Sequence, residues 1–278
     1  SLLSDGKCIT YTKFGSIPVG YAAPSDLLNG MERQEISRLD DHKRSYLAAE
    51  MIRAKIHNQA ARTGTSVNAK AVSATLRKQR DRLKPSALTR IPVERRGDTI
   101  FGAEGAAAHI YFTTFFNELP EWARNCGSTL RIGRGAYDPV NVLLNYAYSM
   151  LHGAVMRAVL ACGLDPAAGV LHSPSRNKPA LVLDIGEQFR APLADATVRQ
   201  LLNNRVITQE SFVEKRGRFG MSKECRTALI GAFTDKLADT HNYLPGAYEM
   251  SWERSIEYQV RALLRYVDGT SSEWKGLY

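Results

Sequence analysis

A helical apolar pattern running from Phe101 to the C-terminus constrains this chain more than any other feature. RGAYDPVNVLLNYAYSMLHGAVMRAVLACGL carries Asp138 as an N-cap and Pro139 in the first turn, and reads as one long helix. FGAEGAAAHIYFTTFFNEL is apolar and rich in small residues, the pattern of a buried helix. KPALVLDIGEQFR is expected to open a helix at Pro179 and to be disturbed at Pro192. SKECRTALIGAFTDKLADTHNY and WERSIEYQVRALLRYVDG complete the helical part. Upstream, MERQEISRLDDHKRSYLAAEMIRAKIHNQAAR has helical spacing with a break near Asp40 and Asp41. VNAKAVSATLRKQRDRL is a second helix stopped near Pro85, and TRIPVERRGDTI reads as a connector.

The first stretch differs in kind. CITYTKFG and IPVGYAA alternate apolar and polar residues around Gly15 and Ser16, which predicts a β-hairpin. Two strands alone are marginal, so the chain looks cut at its N-terminus. The expected class is α+β and mostly α-helical. Residues 1–27 would be the remnant of an N-terminal β-domain, and residues 28–278 a large helical domain.

With 44% hydrophobic and 23% charged residues over 278 positions, the composition is that of a globular protein. No apolar run is long enough for a transmembrane helix, and the N-terminal residues lack a secretory pattern. Cys8, Cys126, Cys162 and Cys225 form no CxxC pair, which argues for reduced cytosolic thiols and against a zinc knuckle. There is no P-loop, no GxGxxG before a helix and no GxSxG.

The net charge is +9, and the segment Glu32–Asp98 supplies most of it, with sixteen Lys and Arg against eight Asp and Glu. A basic chain of this kind most often meets nucleic acid, and a solubilising surface is the simpler alternative. Arg53, Lys55 and Arg62 fall in this segment. Arg131, Arg134, Lys178, Arg190, Lys215, Arg216 and Arg218 fall in loops or at helix ends, where they can hold phosphates.

HSPSRNKPALVLDIGEQFR concentrates the chemistry. Asp184 and Glu187 stand three residues apart on one helix, among Leu183 and Ile185, and repel unless a proton or cation sits between them. His172 lies just upstream and can supply a nitrogen ligand. Imidazole with carboxylates suits Mn²⁺ and tolerates Mg²⁺. Glu104, surrounded by glycine and alanine, must be paired, protonated or ligating, and an ion pair with Arg131 or Arg134 is the plainer reading. His42, His57, His109, His152 and His241 have no acid at comparable spacing and read as structural or surface residues.

Four motifs in order resemble the CRISPR-associated spacer-acquisition integrases, the first-numbered Cas protein family. KIHNQ at Lys55–Gln59 is similar to the family's basic-Ile-x-Asn-Gln segment. GAEGAAAHIYF resembles its Glu-Gly-x-x-Ala-x-x-Tyr helix, with His109 where arginine is usual. RGAYDPVNVLLNYAYSML resembles its Asp-x-Val-Asn-x-x-Leu-x-x-Gly-Tyr helix, with Ala147 in place of the glycine. GVLHSPSRNKPALVLDIGEQFRAPLAD is similar to its His, Leu-Asp-x-x-Glu-x-Phe-Arg and Asp segment. The resemblance covers most of the chain from about Asp5 onward.

The resemblance implies Glu104, His172 and Glu187 as ligands of Mg²⁺ or Mn²⁺, with Asp184 as a supporting acid. It implies a prokaryotic, cytoplasmic homodimer that joins the 3′-hydroxyl ends of short DNA into a CRISPR array by transesterification. A partner from the second-numbered Cas family is implied with it. The alternatives are a metal-dependent nuclease of branched DNA and a non-catalytic DNA-binding scaffold. A transposon-derived integrase with the same domain is a further one.

Overall fold

The computed structural model describes residues 9–13, 17–22, 36–63, 68–172, 179–243 and 248–278. The expected hairpin forms. β1 (Ile9–Lys13) pairs antiparallel with β2 (Ile17–Ala22), and the register shifts between Tyr11 and Thr12. The 27/28 boundary and Lys178 lie outside the described residues.

α1 (Asp41–Ala60) starts where the paired aspartates predict a break. The Asp40 carboxylate accepts from Lys43 N at 2.7 Å, and such a cap is worth about 1 kcal/mol. Leu47, Met51, Ile52 and Ile56 turn into the core, and Glu50, Lys55, Asn58 and Gln59 are buried beside them. A helix with four buried polar side chains is organising something other than a hydrophobic face.

α2 (Ala69–Asp81) buries only Ala69 and Leu76 and leaves Lys70, Arg77 and Lys78 to solvent. α3 (Val93–Asn117) begins within the segment expected to be a connector. Pro92 explains the start, since a proline cannot donate a helical hydrogen bond and the residues after it are free to wind. α3 is also only half buried. Ala103, Ala107, Tyr111 and Phe115 face the core, whereas Phe101 is 49% exposed.

α4 (Pro139–Ala161) is the central helix, with Leu143, Leu144, Leu151, Val155 and Val159 fully buried. Its predicted cap holds: Asp138 Oδ1 accepts from Asn141 N at 2.9 Å. Helical pieces then follow without a break from Ala180 to Asn203. They are α5 (Ala180–Gly186), a 3₁₀ turn at Glu187–Phe189, a π-helical stretch at Arg190–Asp195 and α6 (Ala196–Asn203). Pro192 lies inside the widened turn. It has no N–H for the Gln188 carbonyl four residues back, which is why the helix changes pitch here.

β3 (Phe212–Lys215) and β4 (Arg218–Met221) form a hairpin whose tip places Arg216 and Gly217 at positive φ. The hairpin is tied to the segment before α4 by Phe219 N donating to Tyr137 O at 2.9 Å. α7 (Lys223–Ala238), the short antiparallel pair β5 (Thr240–Tyr243) and β6 (Tyr248–Ser251), and α8 (Trp252–Val267) follow. The last residues turn back onto α1, with Trp274 fully buried. No helix among the described residues is long and apolar enough to cross a membrane.

Candidate active site

A cleft of about 1010 Å³ opens between α1, α3, α4 and the Arg190–Asp195 turn. Lys55, Glu104, Arg131, Arg134, Arg190 and His152 are among its lining residues. α1 sends Lys55 into the cleft floor, where its ammonium pairs with Glu104 from α3. The same Nζ lies 2.7 Å from Glu187 Oε2. Glu187 also pairs with Arg190 at 3.0 Å through its other oxygen.

Burial alone would raise the Glu187 acid. Arg190 first, then Lys55 and the nearby His172, overcome it and hold Glu187 down at about 2. Glu187 is therefore an anion in a buried setting, balanced by two cations. Its Oε2 faces the Lys55 ammonium at 2.7 Å, a charge-assisted contact that helps hold the acid ionised.

Asp184 does not share this arrangement. It is fully buried, and its carboxylate accepts from Val170 N at 2.6 Å, Leu171 N at 2.9 Å and His172 N at 3.1 Å. His172 Nδ1 closes the cage at 2.5 Å from Oδ1. A carboxylate already taking three amide donors is an acceptor, so Nδ1 donates to it and Nε2 takes no part in the cage. The expected repulsion between Asp184 and Glu187 is offset, because each acid has its own set of donors. Gly169 is required beside this cage: a Cβ there would stand 2.4 Å from His172 O and 2.5 Å from the Ala180 Cβ.

The arginines divide. Arg131 and Arg190 lie on the Tyr148 ring, 4.8 and 4.9 Å from its centroid. Arg131 is further fixed by Asn141 at 3.1 Å and Asn145 at 2.6 Å, so Glu104 takes Lys55 and not Arg131 or Arg134 as its partner. Arg134 is exposed at the rim. Arg53 is not in the cleft; it pairs with Glu50 and lies over the Tyr278 ring. Arg62 is half buried, and its carbonyl accepts from Arg199 at 2.8 Å. Lys215, Arg216 and Arg218 are exposed on the β3–β4 hairpin, outside the cleft lining.

Three contributors are not legible in the sequence. Lys55 reads there only as a phosphate contact, although it heads the KIHNQ motif. His152 shares a helix face with Tyr148 four residues earlier, and burial followed by Arg190 lowers its pKa to about 4, so it is neutral. Its buried Nε2 has no hydrogen-bond partner. Asp195 is the third: the sequence shows it only as the closing Asp of the fourth motif, with no role attached. It accepts from Tyr148 at 2.7 Å and Tyr111 at 3.0 Å, and burial raises its pKa.

Among the described residues, no three His, Cys, Asp or Glu side chains stand together as a ready metal cage. The donor chemistry nonetheless fits a hard or borderline divalent cation: the Glu104 and Glu187 carboxylates face one internal ammonium, and the buried His152 Nε2 has no hydrogen-bond partner.

Comparison with known proteins agrees with the motif pattern. A family profile described as CRISPR associated protein Cas1 matches residues 1–235. A Cas4/Cas1 fusion from Rhodospirillum rubrum is 32% identical over 83% of this chain and 40% of its own length. An endonuclease Cas1 from Thermus thermophilus is 35% identical over 68% of this chain and 56% of its own. The chain thus spans roughly half or less of these relatives. Among solved structures, a Thermotoga maritima Cas1 protein superposes with a TM-score of 0.76 at 20% identity, covering 96% of this chain and 81% of that one. A casposase bound to integration product gives 0.76 at 20% identity, over 99% of this chain and 75% of that one. The chain belongs to the Cas1 family.

Proposed function

We propose that this protein is a divalent-metal-dependent DNA integrase and endonuclease of CRISPR adaptation. One observation carries the reading: Glu104 and Glu187 converge on a single buried ammonium, in a cleft edged by arginines, close to a histidine held by its own aspartate. Membership of a family whose curated members are named CRISPR-associated endonucleases supports it. So does a fold shared with a casposase solved on its integration product and with a Cas6-RT-Cas1–Cas2 complex.

Glu104, Glu187 and His172 Nε2 would hold a Mg²⁺ or Mn²⁺ ion. The chemistry supplied with that ion bound is neutralisation of the charge on the attacked phosphate. The protein's own residues do the rest. Asp184 fixes the His172 ring and its tautomer. Arg131 and Arg190, stiffened on the Tyr148 ring, present guanidinium groups to phosphate oxygens in the cleft.

The reaction is an in-line exchange. The 3′-oxygen of the incoming strand bonds to phosphorus as the resident strand's 3′-oxygen leaves, and the proton passes from the attacking hydroxyl to the departing one. One phosphodiester replaces another, so positioning accounts for most of the rate. Affinity for the duplex would come from exposed cations, including the basic face of α2 and the β3–β4 tip. A homodimer with a second-numbered Cas protein as partner is part of the same proposal.

The test incubates the protein with Mn²⁺ or Mg²⁺, a labelled short duplex with free 3′-hydroxyls and a supercoiled plasmid carrying a repeat, with and without the partner. Label joined to plasmid, lost in Glu187→Ala, is the expected result. Nicked plasmid with no joined label in either arm would leave only a nuclease.

A further inference from the structure

The Asn-Gln half of KIHNQ is buried, yet it takes no part in the chemistry above. Asn58 is 8% exposed, and its Nδ2 donates to two carbonyls at once: Gln188 O at 3.0 Å and Leu277 O at 3.0 Å. The Gln188 carbonyl is the one left without its helical donor by Pro192. Gln188 itself is fully buried, and its Oε1 accepts from Leu277 N at 2.7 Å. The residue next to Glu187 is therefore clamped from both sides, in part by chain 89 positions away.

That distant segment is itself firmly seated. Trp274 is fully buried and donates to Gln259 O at 3.2 Å, while Tyr46 donates to Trp274 O at 2.9 Å. Tyr278 donates to Glu50 Oε2 at 2.7 Å. Gly276 lies so close to α1 that a Cβ on it would stand 2.4 Å from the Ala54 Cβ and 3.1 Å from Glu50 O. Ala54 precedes Lys55, so one turn of α1 receives the segment on one side and reaches Glu104 and Glu187 on the other.

We propose that Trp274–Tyr278 forms a strap that sets the position of Glu187, with Asn58 and Gln188 as positioning residues. The proposal rests on the functional reading above and adds to it the element that pre-organises the acid. Glu187 sits in a 3₁₀ turn between two other helical forms, where the backbone ladder is weak, and the strap supplies what the ladder lacks.

The test compares the full chain with Gly276→Ala, which lifts the strap, and with Ala54→Gly/Gly276→Ala, which removes the nearest collision. Three readouts are taken: hydrogen exchange at residues 187–190, Mn²⁺ affinity by calorimetry, and single-turnover joining. Gly276→Ala is expected to speed exchange at 187–190 and to lower the joining rate about tenfold to a hundredfold, as a displacement near 1 Å does. Mn²⁺ affinity falls with it, DNA affinity stays unchanged, and the double variant recovers much of the loss. Exchange at 187–190 that is unchanged by Gly276→Ala overturns the strap, whatever the activity. So does a loss of rate that only follows a general loss of melting temperature and DNA binding, with no recovery in the double variant. If the unmutated protein neither binds Mn²⁺ nor joins or cuts DNA, the functional reading fails, and exchange alone then decides the strap.

Discussion

Lys55 Nζ stands 2.7 Å from Glu187 Oε2 and reaches Glu104 on its other side, so one ammonium joins two acids from different helices. The Glu187 side of this pairing is shielded, with Lys55 6% and Glu187 4% exposed, whereas the Glu104 side chain is 27% exposed. Removing the lysine takes one of two cations from buried Glu187 and the ion-pair partner from Glu104. Lys55→Met is therefore expected to cost about 3 kcal/mol in urea denaturation under chelator. Saturating Mn²⁺ should restore more stability to Lys55→Met than it adds to the unmutated protein, because the ion then supplies the missing positive charge. Equal gains in both proteins would mean that the metal does not bind between these acids.

His172 is one-quarter exposed at its side chain and Asp184 is fully buried, which separates two otherwise similar substitutions. His172→Ala is expected to abolish strand joining with circular dichroism and DNA binding retained. Asp184→Asn loses an ionised acceptor from three backbone donors, and a drop of about 3 kcal/mol in unfolding free energy is expected. A His172→Ala protein that fails to fold would assign the histidine a structural role.

The Glu187 acid is held at about 2 against an ordinary value of 4.5. Its folded-state pKa is depressed, so the stability it brings is complete above 4.5 and drains away as the pH falls toward 2. Glu187→Gln should flatten the acid limb of the stability curve in that window and leave the neutral limb's shape alone. The readout is urea midpoint against pH.

His152 acts in the same sense at milder pH. Burial, then Arg190, lower its pKa from 6.5 to about 4, so the unfolded chain binds the proton first. Stability should fall as pH drops from 6.5 toward 4, with a slope approaching 1.4 kcal/mol per pH unit, about the limit for one proton. His152→Leu removes that slope. A slope that survives the substitution would place the proton elsewhere.

The β3–β4 tip tests the electrostatic side. Neutralising Lys215, Arg216 and Arg218 together is expected to weaken DNA binding and reduce the salt slope by about 1 for each phosphate that no longer meets a cation. The joining rate at saturating DNA should not change, since these residues lie outside the cleft lining. A reduced rate at saturation would put the hairpin at the reacting strand.

Much of the local structure is legible in the sequence because its causes are local. Asp138 caps α4, Asp40 caps α1, and Pro192 widens the turn after Glu187, each through a backbone donor or its absence within four residues. Pro92 marks where α3 can start, but the largely polar VERRGD gives no apolar stripe to call it a helix, and contact with α1 and α2 holds it wound. The place of Arg53 is hidden for a related cause. Its partners are Glu50, one turn back, and Tyr278, from the far end of the chain.

The sequence by itself determined the helical class, the N-terminal hairpin, and the choice of Glu104, His172, Asp184 and Glu187 as the residues to watch. Tertiary structure alone decided who holds whom. It gave Asp184 to His172 and the amides around it, and Glu187 to Lys55 and Arg190. It set Lys55 between two acids, one of them 49 positions away, and brought Leu277 to the back of Gln188. Caps and turns are settled by neighbours along the chain. The balance of buried charges depends on which helices pack together, and that is known only once the core has formed.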